Sequence, residues 1–281
     1  MLFVAITSPT FIDGEAMLIR RLFDCGLDLL HLRKPLCRQG EGVTGVGPYK
    51  DAVSDEAALV AGCRRLLDQL PADILGRVVV HDYFDLALDY PLRGIHLTGR
   101  HPTPPAWLAE QLSNRISDSL ARASNRIPDS LCKQRTHRNM TVSASCHSIA
   151  EVARLNGARL YQACSPDRPG LAQIGPDMPL TLDFLIESLI RLPEQELSYV
   201  FLSPIFNSIS KQGYNAAFTV DELSRAAAEG IINGRVIALG GCSATTIPLL
   251  RQWHFGGAAL LGDVWRDTSA EHYALLRRLL R

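Results

Sequence analysis

The chain has no net charge, since 29 lysines and arginines balance 29 aspartates and glutamates over 281 residues. That balance gives no global attraction for nucleic acid or an anionic membrane, so any affinity for anions must be built locally. No run approaches the roughly 20 apolar residues that cross a bilayer. The seven cysteines, at 25, 37, 63, 132, 146, 164 and 242, form no CxxC pair and no paired metal spacing. Such a set reads as reduced thiols in a cytoplasmic protein rather than a disulfide framework. The opening MLFVAITSPTF lacks a basic leader and a long apolar core, which predicts a first strand and not a signal peptide. Internal repetition is slight: SNRISDSL at 113–120 and SNRIPDSL at 124–131 are two copies only, too few for a solenoid.

What the chain does have is apolar residues, 47% of the total, enough for a large core and against disorder of the whole. They gather in eight short runs, at 2–7, 29–34, 77–82, 94–98, 141–146, 199–206, 235–241 and 257–264. Runs this apolar, without clean alternation, suit parallel strands covered on both faces. Helices are predicted at 15–24, 55–70, 83–88, 105–112, 148–155, 220–229, 245–252 and 270–280, with Ser54, Thr219 and Ser269 as caps. Eight strand–helix repeats in this length predict one α/β domain over 1–281, a single (β/α)₈ TIM barrel. Its chemistry should gather at the carboxyl ends of the strands.

Three insertions exceed what a minimal barrel needs. Residues 36–54 are Gly-rich and leave the top of strand two, either as a lid over the site or as an ordinary surface loop. Residues 113–139 carry six Lys/Arg against two Asp and read as a solvated, partly disordered insertion rather than a nucleic-acid patch. Residues 159–198 hold an amphipathic stretch at 180–192 and several prolines. The last two precede strands, which predicts the amino-terminal face of the barrel, away from the chemistry.

The strand ends carry the candidate site. Strand two ends His31-Leu32-Arg33-Lys34, and alternation puts His31 and Arg33 on one face. A lumen-facing arginine there suits an anionic group, with pairing to Asp82 as the structural alternative. Arg100, His101 and Lys211 add further basic groups at strand tops. Strand three ends His81-Asp82, whose carboxylate can hold Mg²⁺, act as a base or orient Arg33; a single carboxylate is a thin magnesium site. A zinc set of His31, His81, His96 and His101 is conceivable, but the spacing matches no zinc signature. Strand five runs into Ser145-Cys146-His147-Ser148. His147 suits general acid/base work, with helix capping as the alternative. Adjacent strand residues face opposite ways, so Cys146 reads as a small buried hydrophobe rather than a nucleophile. After strand six, 203–211 form a hydroxyl-rich loop closed by Lys211. Gly240-Gly241 after strand seven and Gly262 after strand eight let backbone N–H groups approach a phosphate. Together these point to a phosphorylated ligand.

In this order the strings HLRKP (31–35), VVHDYFDLAL (79–88), GIHLTGR (94–100), SASCHSIAEV (143–152), YVFLSPIFNSISK (199–211) and VIALGG (236–241) resemble the thiamine phosphate synthase/TenI family. SPIFNSISK and VIALGG are the most specific. The resemblance implies a barrel enzyme of thiamine biosynthesis that handles thiazole phosphate. Carried over by position, Gly240, Gly241 and the backbone near Gly262 hold the thiazole's phosphate. Lys211, Ser208, Ser210, Ser145 and Arg33 line the pyrophosphate side, with His31, His81 and Asp82 as further substrate-binding positions. Synthases of the family join a pyrimidine pyrophosphate to the thiazole nitrogen, with Mg²⁺ and basic residues neutralising the leaving pyrophosphate.

Several positions depart from the synthase pattern. Its Gln, Arg and Lys of strand two are His31, Arg33 and Pro35; its Asn-Asp after strand three is His81-Asp82. Its second metal-binding Asp falls at or near His101, an imidazole where Mg²⁺ prefers a hard oxygen, and its serine of strand eight is Gly262. These changes weaken the pyrophosphate half and leave the thiazole-phosphate half. They favour a TenI-like thiazole tautomerase, in which His147 is the catalytic proton carrier and no cofactor is needed. The alternative is a synthase with Mg²⁺ at Asp82, Lys34 and His101 then serving the pyrophosphate. A third reading is a non-catalytic barrel that binds thiamine phosphates and regulates a partner. Small phosphorylated thiazole or pyrimidine ligands are the expected partners, without nucleic acid or membrane. Self-association into a homo-oligomer is left open.

Overall fold

A computed structural model describes the chain apart from residues 37–54, 103, 109–139, 155–196 and 208–214. The eight apolar runs form eight strands: β1 (Leu2–Ile6), β2 (Leu29–Leu32), β3 (Val78–His81), β4 (Gly94–Leu97), β5 (Thr141–Cys146), β6 (Leu197–Leu202), β7 (Val236–Leu239) and β8 (Gly257–Leu260). They pair in sequence order, all parallel, and β8 closes on β1 through Leu2↔Gly257 to Ala5↔Leu260. The expected (β/α)₈ barrel is the architecture found. The three insertions at 36–54, 113–139 and 159–198 lie almost wholly outside the described residues. Leu197 and Ser198 are the exceptions at the carboxyl end of the third, since they already belong to β6.

Eight helices have full bounds among the described residues: α1 (Glu15–Asp24), α2 (Glu56–Leu67), α3 (Ala72–Leu75), α4 (Leu86–Asp89), α5 (Val220–Ala228), α6 (Ile247–Gln252), α7 (Gly262–Arg266) and α8 (Ala270–Leu280). Residues 106–108 and 149–154 are also helical. The caps explain the boundaries. Thr219 and Glu222 bond reciprocally at the start of α5, and the Ser269 hydroxyl accepts from His272 N at the start of α8. At α2 the expectation of Ser54 is corrected: Asp55 has the extended backbone of a cap and accepts from Ala57 N. The strand expected over 257–264 is also corrected. It stops at Leu260, and Gly262–Arg266 turn into α7.

Alternation divides the core into two clusters. Val4, Ile6, Tyr199, Phe201, Ile237 and Ala259 pack inside the barrel, while Phe3, Ala5, Leu30, Leu32, Val78 and Val80 face the helices. Both strand faces are therefore covered, as uninterrupted apolar runs require. The interior is not uniformly oily. Its β1 and β6–β8 side is aromatic and aliphatic, whereas β2–β5 contribute the fully or almost fully buried polar groups His31, His81, His96 and Ser143.

Candidate functional site

Strands β2–β4, β6 and β7 end one to four residues earlier than their apolar runs suggest, while β5 ends where its run does, and the residues at and beyond these ends build a cavity of about 370 Å³. Arg33, His81, Asp82, Ser145, His147, Gly240, Gly241 and Gly262 all line it. Residues that are up to 229 positions apart in sequence thus share one mouth, the arrangement expected of a barrel.

The β3 end supplies the acidic point. Asp82 sits at φ 64°, left-handed for a non-glycine residue, and its carbonyl accepts from Phe84 N at 2.8 Å to close the turn. Its Oδ1 is buried without a hydrogen-bond partner. A two-way backbone pairing of Thr98 with His101 folds the β4 loop back, so that His101 Nε2 stands 3.6 Å from that oxygen, beyond hydrogen-bond reach.

At the β5 end the two neighbours part as alternation requires. Cys146 turns outward into the helix-facing core, and burial pushes its thiol up to about 12, so it remains a protonated hydrophobe. His147 turns to the cavity. It is not the helix cap: the Ser148 hydroxyl accepts from Glu151 N at 3.2 Å, and the Glu151 carboxylate accepts from His147 N at 2.6 Å. The imidazole is left to other work. Its Nδ1 lies 3.2 Å from the Ser203 carbonyl, an acceptor that fixes the proton on Nδ1 and leaves the Nε2 lone pair for a ligand.

The β7 end supplies a wall of bare backbone. Gly240 and Gly241 have φ 97° and 63°, and a side chain at Gly241 would stand 2.3 Å from the Asn207 carbonyl oxygen. Only glycine fits such a turn against a neighbouring loop. Ile205 N bonds Leu239 O at 2.9 Å and Phe206 N bonds Gly240 O at 3.0 Å, stapling the β6 loop to it. Behind Gly262 the buried Asp263 accepts from Arg266 and from His272, each at 3.0 Å, which fixes the β8–α7 turn.

Two candidates are placed elsewhere. His31 is fully buried beneath the cavity and does not line it; its ring bonds His81 and Tyr199 instead. Lys34, the basic group that a synthase was expected to recruit, is buried on the opposite face. Its Nζ donates to both Glu15 oxygens at 2.7 and 2.8 Å and to the Ser8 and Thr10 carbonyls. Every proton of its ammonium has a partner, so it cannot serve an anion in the cavity. Ser208, Ser210 and Lys211 lie outside the described residues. Sequence reading missed Thr98, Gly99 and Ser203 in the lining, and Tyr199 in the lumen. Period-two counting back from Ser203 would have pointed Phe201 and Tyr199 inward.

Two metal sites can be tested on their donors. His31, His81 and His96 have ligand-capable nitrogens within 4.8 Å of one another. Yet His31 and His81 bond each other directly, both His96 nitrogens are held by serines, and His81 stacks on His96 with ring centroids 4.3 Å apart. Such rings do not converge on one ion. His101, the fourth member of the expected zinc set, is half-exposed at the mouth, apart from them. Mg²⁺ fares no better at Asp82: the described lining offers one carboxylate, and the group facing it is an imidazole.

Comparison with known proteins agrees with this architecture. No family model matches the chain and no curated protein matches it. Among solved structures, a thiamine phosphate pyrophosphorylase from Bacteroides thetaiotaomicron is 26% identical, with 99% of this chain and 97% of that one covered and a TM-score of 0.59. One from Pyrococcus furiosus is 12% identical, covers 99% and 95%, and has a TM-score of 0.52, a likeness of fold. The described residues form a barrel with a thiamine phosphate synthase/TenI-like fold. No helix among the described residues is long and apolar enough to cross a membrane.

Proposed function

We propose that the protein is an enzyme of thiamine-phosphate chemistry with a TenI-like site, a thiazole tautomerase that relocates a proton on a thiazole phosphate. Gly240, Gly241 and Gly262 receive the phosphate on backbone, with Arg33 and Arg100 supplying positive charge around the ligand. His147 Nε2 takes a proton from a ring carbon and returns one at another position, so one C–H bond breaks, another forms, and nothing is oxidised. The Ser203 carbonyl on Nδ1 holds the imidazole in the tautomer that can accept, and it stabilises the imidazolium formed.

One observation carries the choice against a synthase: the group facing Asp82 is His101, where a second oxygen ligand would be needed to hold magnesium and pyrophosphate. No step is therefore routed through a metal. The test offers purified protein both synthase substrates with Mg²⁺ in one arm and the thiazole tautomer phosphate with a chelator in the other. Tautomer turnover with chelator present is the result expected. Condensation with release of pyrophosphate, lost in Asp82→Ala, would overturn the reading in favour of a synthase.

A further inference from the structure

β4 and β5 run side by side with His96 opposite Ser143, and Ser145, two residues further on, shares the face of Ser143. The His96 ring bridges the two serines: its Nδ1 is 2.8 Å from Ser143 Oγ and its Nε2 is 2.9 Å from Ser145 Oγ. At the inner end of this row the Ser143 hydroxyl lies 3.4 Å from the Ile95 carbonyl oxygen. At the outer end Ser145 lines the cavity. His96 is fully buried, and burial, with His31 and Arg33 nearby, holds its imidazole well below the usual range. The ring is therefore neutral, with one N–H to give and one lone pair to receive.

The order of protons follows from the inner end. A carbonyl only accepts, so the Ser143 hydroxyl donates to Ile95, and its oxygen is left to accept from His96 Nδ1–H. His96 Nε2 is then the lone-pair nitrogen, and Ser145 gives it the one proton of its hydroxyl. The reverse order would set the Ser143 and Ile95 oxygens against each other with no proton between them. We infer that Ser145 meets a ligand as a hydrogen-bond acceptor only, and so selects a phosphorylated ligand whose other end carries an N–H or O–H donor. Asp82 points the same way from the end of β3, since its Oδ1 is a second buried acceptor, on a residue of the same lining, with no hydrogen-bond partner. Anions are held by donors, so the phosphate falls to the glycine backbone and the donor-bearing end of the ligand to these two acceptors. A serine whose proton is held inward does not donate to a pyrophosphate oxygen, the role that the family resemblance implied for this position. Ser145 has this polarity whether or not the protein is a tautomerase.

Nitrogen-15 NMR of the full chain, labelled on histidine, reads the position of the His96 proton. A proton on Nδ1 is expected, and a proton on Nε2 would overturn the assignment. Ser143→Ala removes the link to the carbonyl, so the Nε2-protonated form should appear; a ring that stays wholly Nδ1-protonated would show that the row does not set the polarity. The ligand class is read by titrating the protein with 2-aminothiazole and with thiazole, one ring with and without an N–H donor, in the presence of inorganic phosphate. The amino compound should bind roughly tenfold tighter or more. That preference should fall to about threefold or less in Ser145→Ala and persist in Ser145→Thr, which restores the hydroxyl. Equal affinity for the two compounds, binding of neither, or an undiminished preference in Ser145→Ala overturns the ligand class.

Discussion

His31 Nδ1 and His81 Nε2 meet at 2.7 Å in a part of the barrel with almost no solvent contact, where His31 is 0% exposed and His81 3%. One of these nitrogens must donate and the other accept, so the two rings cannot both be imidazolium without breaking the pair. Burial pushes His31 down to about 3 and lowers His81 and His96 as well, His81 also through the nearby His96, His31 and Arg33, and His96 also through His31 and Arg33.

Stability should therefore fall on mild acidification. Below the ordinary imidazole value of 6.5 the unfolded chain binds protons that the folded chain refuses, so the folding free energy declines with pH. At pH 5, roughly 1.5 units below that value, His31 alone accounts for about 2 kcal/mol at about 1.4 kcal/mol per unit. Glu15, whose carboxyl burial pushes up, works in the opposite sense, one carboxyl against three imidazoles. Urea unfolding at pH 7 and pH 5 measures the difference; a midpoint that holds or rises at pH 5 contradicts it.

Lys34 and Glu15 tie α1 to the end of β2 at 0% and 3% side-chain exposure. Burial works against both charges, pushing the lysine down and the carboxyl up, so the pair contributes only while both members remain. Glu15→Ala should cost about 3–5 kcal/mol by stranding a buried ammonium, and Lys34→Met combined with Glu15→Leu should recover most of it. Denaturant midpoints of the single and double variants check this. A single variant with unchanged stability would be the contrary outcome.

Gly241→Ala places a methyl group 2.3 Å from the Asn207 carbonyl, on a residue with φ 63°. The loop must move, so phosphate affinity should drop at least tenfold and stability by about 1–3 kcal/mol. Calorimetric titration with inorganic phosphate reads the first, thermal unfolding the second. Wild-type affinity in the variant would remove the glycine wall from the phosphate site.

The barrel was legible because eight apolar runs of strand length recur with helical patterns between them, and part of the cavity lining was legible because the strand ends of a barrel converge on one mouth. That Arg33, Asp82, His147 and Gly241 line the cavity followed from that rule. The rest depended on facts that spacing does not carry. Whether His31 reaches the mouth or lies one layer below is set by the stagger of β2 against β1 and β3, and the register of His31 with Ile6 and Val79 puts it below. Lys34 looked like a free cation because its partner, Glu15, opens a helix 19 residues earlier. Strand ends were overextended at β6 and β8 because Ile205, Phe206 and Val264 continue the apolar pattern while serving loop and helix packing.

The direct measurement is solvent deuterium incorporation into the thiazole tautomer phosphate, in chelator, by the unmodified protein and by His147→Ala. Exchange by the unmodified protein, falling roughly 100-fold or more in the variant, is the result expected for a histidine that transfers the proton itself. Exchange at the unmodified rate in His147→Ala would contradict it.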